Sequence, residues 1–167
     1  MNINQLKNKK FLILLIGHPL VGKSTFIKNK LNNLDFNLIS RDNIILDLSS
    51  TKEYNKAWDE VNHKEVDRIL NKRIDNSILN NESVVIDMTN LTKKRRKGFI
   101  NRFNDYYKVG ILFDILSSDE IKSRNEKRNN EESKYINESI INTMISSYQT
   151  PTKEEGFDKI INVNKII

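Results

Sequence analysis

The chain has 167 residues, a formal net charge of +6 at pH 7 and no cysteine. This length suits one domain that buries a sheet between helices, and we expect a single domain over residues 1–167. The lack of cysteine excludes a disulfide framework and a thiolate zinc site. The longest apolar run near the N-terminus, residues 11–16, is too short to span a bilayer. We therefore expect a soluble, intracellular protein of the cytoplasm with no membrane partner.

Strand-like and helix-like segments alternate along the chain, and this alternation predicts βαβ units in an α/β fold. A capping box at Ser117 and Glu120 opens one of the helices, and Pro151 ends the last long one. The predicted strands are residues 12–16, 36–40, 83–88, 109–116 and 159–163. The predicted helical regions begin near Lys23 and at residues 54–79, 93–107, 117 onward and 136–148.

The first strand leads directly into a G-x-x-x-x-G-K-S motif and then a helix, which is typical of a phosphate-binding loop. Gly17 and Gly22 allow the backbone N–H groups to turn around an anion. Lys23 adds a positive charge for the β- and γ-phosphates, and Ser24 offers a hydroxyl ligand to Mg²⁺. His18 is interpreted as a loop residue without a catalytic role. The predicted nucleotide-binding residues of this loop are Gly17, Gly22, Lys23, Ser24 and Thr25.

A second candidate site is Arg41-Asp42, directly after the second strand. Ligands of open parallel sheets gather at the carboxyl ends of the strands. Asp42 could accept the proton of an attacking hydroxyl while Arg41 holds the substrate. The alternative is that Asp42 caps a helix over residues 43–48.

The third strand ends in Asp87, and an apolar strand ending in Asp has the general form of an element that supports Mg²⁺. Asp87 could instead hydrogen-bond the acceptor or brace the phosphate-binding loop. Thr89 and Asn90 follow as substrate-binding candidates, with a simple turn as their alternative.

Arg124 and Arg128 lie four residues apart and share one helix face, so both can reach the same anion. The polar stretch that follows indicates a lid, at about residues 118–136, that could close over the transferring phosphate. The alternative is a solvated basic helix with internal pairing to Glu126.

A basic run at residues 93–97 could follow the backbone of a nucleic acid, or could be an exposed helical turn. The aromatic residues Tyr54, Trp58 and Tyr106 could stack on bases, although such residues more often pack in the core.

Together the segments GHPLVGKST, SRDNI, VVIDMTNLTKKRR, RNEKR and PTKEEGFDKIINV resemble the 5′-hydroxyl kinase module of the polynucleotide kinase-phosphatase family. The resemblance runs from about Lys10 to Val163. It implies a P-loop kinase fold with a five-stranded parallel sheet, helices on both faces and a helical lid. It also implies ATP or another nucleoside triphosphate as donor, with Mg²⁺, and the 5′-OH end of DNA or RNA as acceptor.

By this resemblance Asp42 is the general base, Arg128 is the lid arginine on the donor phosphates, and Arg124 is its helper. Asp87, Thr89 and Asn90 match a D-x-T-N segment that contacts the acceptor or supports the metal, so that Ser24 and Asp87 are the metal candidates. The catalytic residues expected are Asp42, Lys23 and Arg128.

Ile45 stands where some members of that family carry an arginine for an acceptor 3′-phosphate. No D-x-D-G-T phosphatase or K-x-D-G ligase motif occurs, so a separate phosphatase or ligase would have to act as partner in end healing. Two alternatives stay open: a kinase for small-molecule or aminoacyl-tRNA hydroxyls, and a nucleotide-dependent regulatory module.

Overall fold

The computed structural model describes residues 3–166, and its centre is a five-stranded parallel sheet in the order β2-β3-β1-β4-β5. This arrangement confirms the predicted α/β fold with helices on both faces. The strands are β1 (Phe11–Ile16), β2 (Asn37–Ser40), β3 (Val84–Asp87), β4 (Tyr107–Leu112) and β5 (Lys159–Asn162). The helices are α1 (Lys23–Lys30), α2 (Arg41–Leu48), α3 (Tyr54–Glu60), α4 (His63–Leu79), α5 (Lys93–Ile100), α6 (Ser118–Glu132) and α7 (Glu138–Ser146).

Strand β1 lies in the middle of the sheet, and all six of its residues are buried. Alternate side chains of a strand point to opposite faces, so β1 contributes to two separate cores. Leu12, Leu14 and Ile16 pack with residues of α2 to α5, whereas Ile13 and Leu15 pack with residues of α1. A continuous apolar strand is required because helices cover both faces.

Several element boundaries differ from the sequence prediction because side chains cap the helices locally. The predicted helical region 54–79 is two helices, and the side chain of Asn62 caps the second by accepting from the Lys64 N–H. The predicted helix 93–107 ends at Ile100, and the predicted strand 109–116 is displaced to Tyr107–Leu112.

The basic run at the start of α5 is not the uniformly exposed surface that its composition indicates. Arg96 is fully buried and forms a two-pronged ion pair with Glu155, at 2.7 Å and 2.8 Å. Its remaining donor contacts the carbonyls of Asn90 and Leu91. Arg96 therefore docks α5 onto the 3₁₀ turn at Lys153–Glu155 and cannot follow a nucleic acid backbone.

Tyr106 also differs from its proposed stacking role, because it is buried and makes an edge-to-face contact with Phe103. It is a core residue. Within residues 3–166, no helix combines the length and the apolar character needed to cross a membrane.

Candidate active site

The phosphate-binding loop joins the carboxyl end of β1 to α1, and two of its residues have left-handed backbone conformations. Leu20 has φ 74° and Gly22 has φ 91°. Successive turns of this kind point backbone N–H groups into a common anion-binding concavity. A Cβ on Gly17 would lie 2.9 Å from Cβ of Phe113, so the chain leaves β1 in a space that only glycine fits. The loop therefore has the backbone geometry of a phosphate cradle.

Lys23 opens α1 and turns its ammonium back into this loop, where Nζ donates to the carbonyls of Gly17 at 3.0 Å and His18 at 2.8 Å. Burial lowers its pKa to about 8, although the nearby carboxylates of Asp87 and Asp42 raise it. The ammonium therefore already lies within the loop. Its N–H donors could turn from these carbonyls to a bound phosphate.

Ser24 and Asp87, the two metal candidates, contact each other: the Ser24 hydroxyl donates to Asp87 Oδ2 at 3.2 Å. Burial raises the pKa of Asp87, Lys23 lowers it, and the charge of Asp42 raises it again. A hydroxyl and a carboxylate are oxygen ligands of the kind that Mg²⁺ prefers beside nucleotide phosphates. Their chemistry and placement therefore fit that ion.

Asp42 lies in the first turn of α2, but it is not the helix cap. The Ser40 side chain caps α2 by accepting from the Asn43 N–H, so the capping interpretation of Asp42 is wrong. The Asp42 carboxylate instead accepts from the Tyr54 hydroxyl at 2.7 Å and pairs with the Lys134 ammonium. Its side chain is 49% exposed.

The pKa of Asp42 is lowered as the net result of opposing effects. Burial alone would raise it, but the Lys134 charge and hydrogen bond, the Tyr54 hydroxyl and the charge of Arg128 outweigh that effect. Burial and the same carboxylate raise the pKa of Tyr54. Asp42 is therefore an anion at neutral pH, held by a tyrosine and a lid lysine.

The segment predicted as a lid, about residues 118–136, contains α6 and the loop after it, and it brings Lys134 to Asp42 and the charge of Arg128 close to Asp42 and Lys23. The Asn125 side chain clamps the loop through both the N–H and the carbonyl of Ile136. Arg128 donates from Nε to the Lys134 carbonyl at 3.2 Å, while its buried Nη2 has no hydrogen-bond partner among the described residues. Nη2 is therefore a donor in need of an acceptor such as a phosphate oxygen.

Arg124 reaches the phosphate-binding loop directly, with Nη1 donating to the Leu20 carbonyl at 3.1 Å. Its other nitrogen lies 3.6 Å from Glu120 one turn earlier. Arg124 thus contacts the loop itself, whereas Arg128 acts on Lys23 of the loop through its charge.

The D-x-T-N segment mainly braces the phosphate-binding loop. The Gly17 N–H donates to the Thr89 carbonyl at 3.0 Å, and Asn90 Nδ2 donates to the Leu15 carbonyl at 2.8 Å. Asn90 is fully buried with φ 49°, so its assignment as a substrate-binding side chain is corrected to a positioning role.

Arg41 lies at the rim of the site in an aromatic and charged cluster. It pairs with Asp67 at 3.0 Å, contacts His63 Nδ1 at 3.3 Å and lies 5.3 Å from the ring centroid of Trp58. Trp58 is 42% exposed and packs on His63. This cluster offers a cation and a flat aromatic surface next to Asp42. Ile45, by contrast, is buried in the core and contributes nothing to the acceptor side.

Sequence reasoning missed Lys134, the hydrogen bond of Tyr54 to Asp42, and the link made by His18. The His18 Nδ1 donates to the Pro19 carbonyl at 2.6 Å, and its Nε2 accepts from the Leu116 N–H at 3.1 Å. The available signal was the polar stretch that ends at Lys134, because the contacts of His18 with Leu116 and of Tyr54 with Asp42 depend on tertiary packing.

A model of the AAA domain family matches residues 12–151. Among solved structures, a chain of the Pnkp1/Rnl/Hen1 RNA repair complex is similar at 22% identity and a TM-score of 0.65, over 90% of this chain and 47% of that one. This chain therefore spans about half of that protein. A "putative kinase" from Chloroflexus aurantiacus is similar at 15% identity and a TM-score of 0.62, over 93% and 86% of the two chains. A gluconokinase from Sinorhizobium meliloti 1021 gives 13% identity and 0.54, over 93% and 84%. These likenesses show a kinase-like P-loop fold.

Proposed function

This chain belongs to the AAA domain family, and we propose that it is a kinase that transfers the γ-phosphate of ATP to the 5′-OH end of a nucleic acid. The observation that carries the proposal is the position of Asp42. Its carboxylate lies within the electrostatic reach of Lys23 on the phosphate-binding loop and of Arg128 on the lid. A base, a phosphate-binding lysine and a lid arginine around one point suit phosphoryl transfer to a hydroxyl.

The donor triphosphate is expected to lie in the loop between Gly17 and Thr25, with its γ-phosphate facing Lys23. From the predicted lid, Arg124 contacts the Leu20 carbonyl of this loop, and the charge of Arg128 acts on Lys23. Ser24 and Asp87 would hold Mg²⁺, which when bound neutralises charge on the phosphates. The unpartnered Nη2 of Arg128 is the donor best suited to stabilise the charge of the transferring group.

The transfer itself requires Asp42 as proton acceptor. The acceptor oxygen forms a bond to the γ-phosphorus, the bond from that phosphorus to the β–γ bridging oxygen breaks, and ADP leaves. The hydroxyl proton passes to Asp42. Because Lys134 pairs with Asp42 in this structure, the acceptor hydroxyl must displace the lysine before the carboxylate can take the proton.

Three observations favour a nucleic acid acceptor. The sequence motifs resemble the 5′-hydroxyl polynucleotide kinase module, and a similar structure belongs to an RNA repair complex. Arg41 and the half-exposed Trp58 beside Asp42 offer the phosphate and base contacts that single-stranded nucleic acids use. By analogy with that complex, a separate ligase or phosphatase is the partner we would seek.

The likeness to a gluconokinase supports a second candidate, a kinase for a small hydroxylated molecule. The same Asp42, Lys23 and Arg128 would serve that reaction. The two candidates differ only in the acceptor.

The test is transfer of labelled γ-phosphate from ATP to 5′-OH oligonucleotides of DNA and RNA, with gluconate and nucleosides as competing acceptors. We expect label at the oligonucleotide 5′ end, lost at least a hundredfold in Asp42→Asn, consistent with removal of a general base. Asp47→Asn is the matched control, because Asp47 lies on the same helix and pairs only with Arg73 at the surface. Label on gluconate or a nucleoside alone would contradict the nucleic acid proposal and favour the second candidate.

A further inference from the structure

A cleft of about 630 Å³ lies between α4 and α5 on the α4 side of the sheet. Its walls combine apolar and polar surface and carry more positive than negative charge. Lys94, Arg95 and Arg102 contribute cations from the α5 side, and Asp67 contributes a carboxylate from α4. Pockets of about 300–1,000 Å³ are the size that binds small ligands or parts of larger ones.

The cations of the cleft differ in how far they are already neutralised. Arg102 pairs with Asp75 at 2.6 Å and contacts Asn71. Arg95, in contrast, has no carboxylate within salt-bridge distance among residues 3–166. Its guanidinium contacts the Met88 sulfur at 3.5 Å and lies 5.7 Å from the centroid of the Phe99 ring. Arg95 therefore presents a guanidinium fork without an anionic partner.

The environment of Arg95 increases its need for an anion. Burial lowers the pKa of Arg95, and the charge of Arg41 lowers it further, while Asp67 raises it. Two arginines thus approach a single carboxylate that already pairs with Arg41. A phosphate between them would relieve the repulsion, and the planar fork of arginine suits its oxygens.

Two contacts connect the lining of the cleft with the candidate active site. Arg95 reaches Met88, the residue after Asp87, and Asp67 in the cleft wall reaches Arg41, the residue before Asp42. A chain whose end lies at Asp42 could therefore pass Arg41 and continue between α4 and α5.

We propose that this cleft binds the phosphodiester backbone of the acceptor strand on the 3′ side of its terminal 5′-OH nucleotide, with Arg95 and Lys94 contacting phosphates. The assignment rests on the proposed function for the position of the 5′ end. It gives the enzyme a preference for polynucleotide acceptors over single nucleotides, since only a longer strand reaches the cleft.

The matched comparison lies within α5. Lys94 and Arg95 line the cleft, whereas Lys97 is exposed on the same helix and does not line it. Lys94→Ala/Arg95→Ala and Lys97→Ala each remove positive charge from α5. Because none of the three residues belongs to the buried core, we expect both variants to fold with unchanged circular dichroism and melting temperature.

The first measurement compares kcat/KM for a 12-nucleotide 5′-OH strand with that for a dinucleotide, in DNA and RNA. We expect the ratio to fall at least tenfold in the double variant and to stay at the wild-type value in Lys97→Ala. The salt dependence of binding should also weaken, since each lost phosphate contact in a single strand reduces the slope by about 0.7. An unchanged ratio, or the same change in Lys97→Ala, would overturn the proposal.

The second measurement is independent of catalysis and uses fluorescence anisotropy of a labelled 12-nucleotide strand without ATP. The proposal requires that the wild-type chain binds it and that the double variant binds it at least tenfold more weakly. If the strand binds but receives no phosphate, the proposed function fails while the cleft assignment stands. No binding by the wild-type chain, or equal competition by polyglutamate, would overturn the cleft assignment itself.

Discussion

Arg96 and Glu155 meet with both side chains fully buried, whereas Lys134 and Asp42 meet with 15% and 49% of their side-chain surfaces exposed. In the buried pair, Arg96 also satisfies two backbone carbonyls, and Glu155 also accepts from the Thr152 N–H. Beside this partly exposed pair, Arg128 keeps one donor without a hydrogen-bond partner within residues 3–166. The charged groups of the buried pair are therefore satisfied within the protein, whereas the Arg128 donor beside the second pair needs a ligand as its acceptor.

This difference separates structural charges from functional ones. Removing one partner of a fully buried pair leaves an uncompensated charge in the core, which is costly. A partly exposed pair can open at less cost, because water reaches the half-exposed Asp42 carboxylate. We therefore expect substitutions at the buried pair to reduce stability, and substitutions around Asp42 to change the reaction.

The largest effect is expected for Glu155→Gln, which keeps the shape of the side chain but removes its charge. The free energy of unfolding should fall by about 3–5 kcal/mol, because Arg96 stays buried without a counterion. Urea denaturation measures this change, with the exposed neighbour in Glu154→Gln as the control. A loss similar to that of the control would contradict the structural role of the pair.

Arg128→Ala tests the donor that lacks a partner. If Nη2 stabilises the transferring phosphate, kcat should fall by about 10²–10³-fold while the melting temperature changes little. Lys122→Ala, an exposed lysine on the same helix, should keep wild-type kcat. A large loss of stability without a specific loss of kcat would mean that Arg128 has a structural role and not a catalytic one.

Asn90→Gly removes the amide that braces the phosphate-binding loop while retaining freedom for φ 49°. We expect the free energy of unfolding to fall by about 1–3 kcal/mol, because a buried carbonyl loses its donor. ATP affinity should weaken as well, since the start of the loop is no longer held. The control is Asn81→Gly, where φ is 58° but the side chain is exposed and bonds only to Lys10. Equal effects at both positions would argue against a brace.

Lys134→Met should change stability least, by less than about 1 kcal/mol, since one partner is half exposed. The main effect of this substitution should be on the pH dependence of kcat/KM. Lys134, Tyr54 and Arg128 lower the pKa of Asp42 against the opposing effect of burial, so loss of the lysine raises that pKa.

A general base acts only when deprotonated, and activity therefore falls as pH falls through its pKa. The acidic limb of the kcat/KM profile should consequently move to higher pH in Lys134→Met. Lys23 and Asp87 also act on this carboxylate electrostatically but are the same in both proteins. Lys127→Met, in which an exposed lid lysine is lost, should leave the limb in place. An unmoved limb in Lys134→Met would mean that another group is the base.

Much of the site could be predicted because the carboxyl ends of parallel strands meet at one edge of the sheet. Ser40, which caps the helix of Asp42, lies in register with Asp87, and Asp87 in turn contacts Ser24 of the phosphate-binding loop. Each of these three motifs lies at the carboxyl end of a strand that the hydrophobic periodicity predicts. Their convergence could therefore be expected although they are distant in sequence. The family resemblance added roles for Asp42 and Arg128, which stay predictions.

The sequence by itself determined the phosphate-binding loop and the alternation of strands and helices, because local spacing and hydrophobic pattern dictate these features. Only the tertiary structure decided that Arg96 is buried while Arg95 faces a cleft, and that Lys134 reaches Asp42 across 92 positions of the chain. Adjacent residues on a helix point about 100° apart, so which one meets Glu155 depends on how α5 packs against the rest of the molecule.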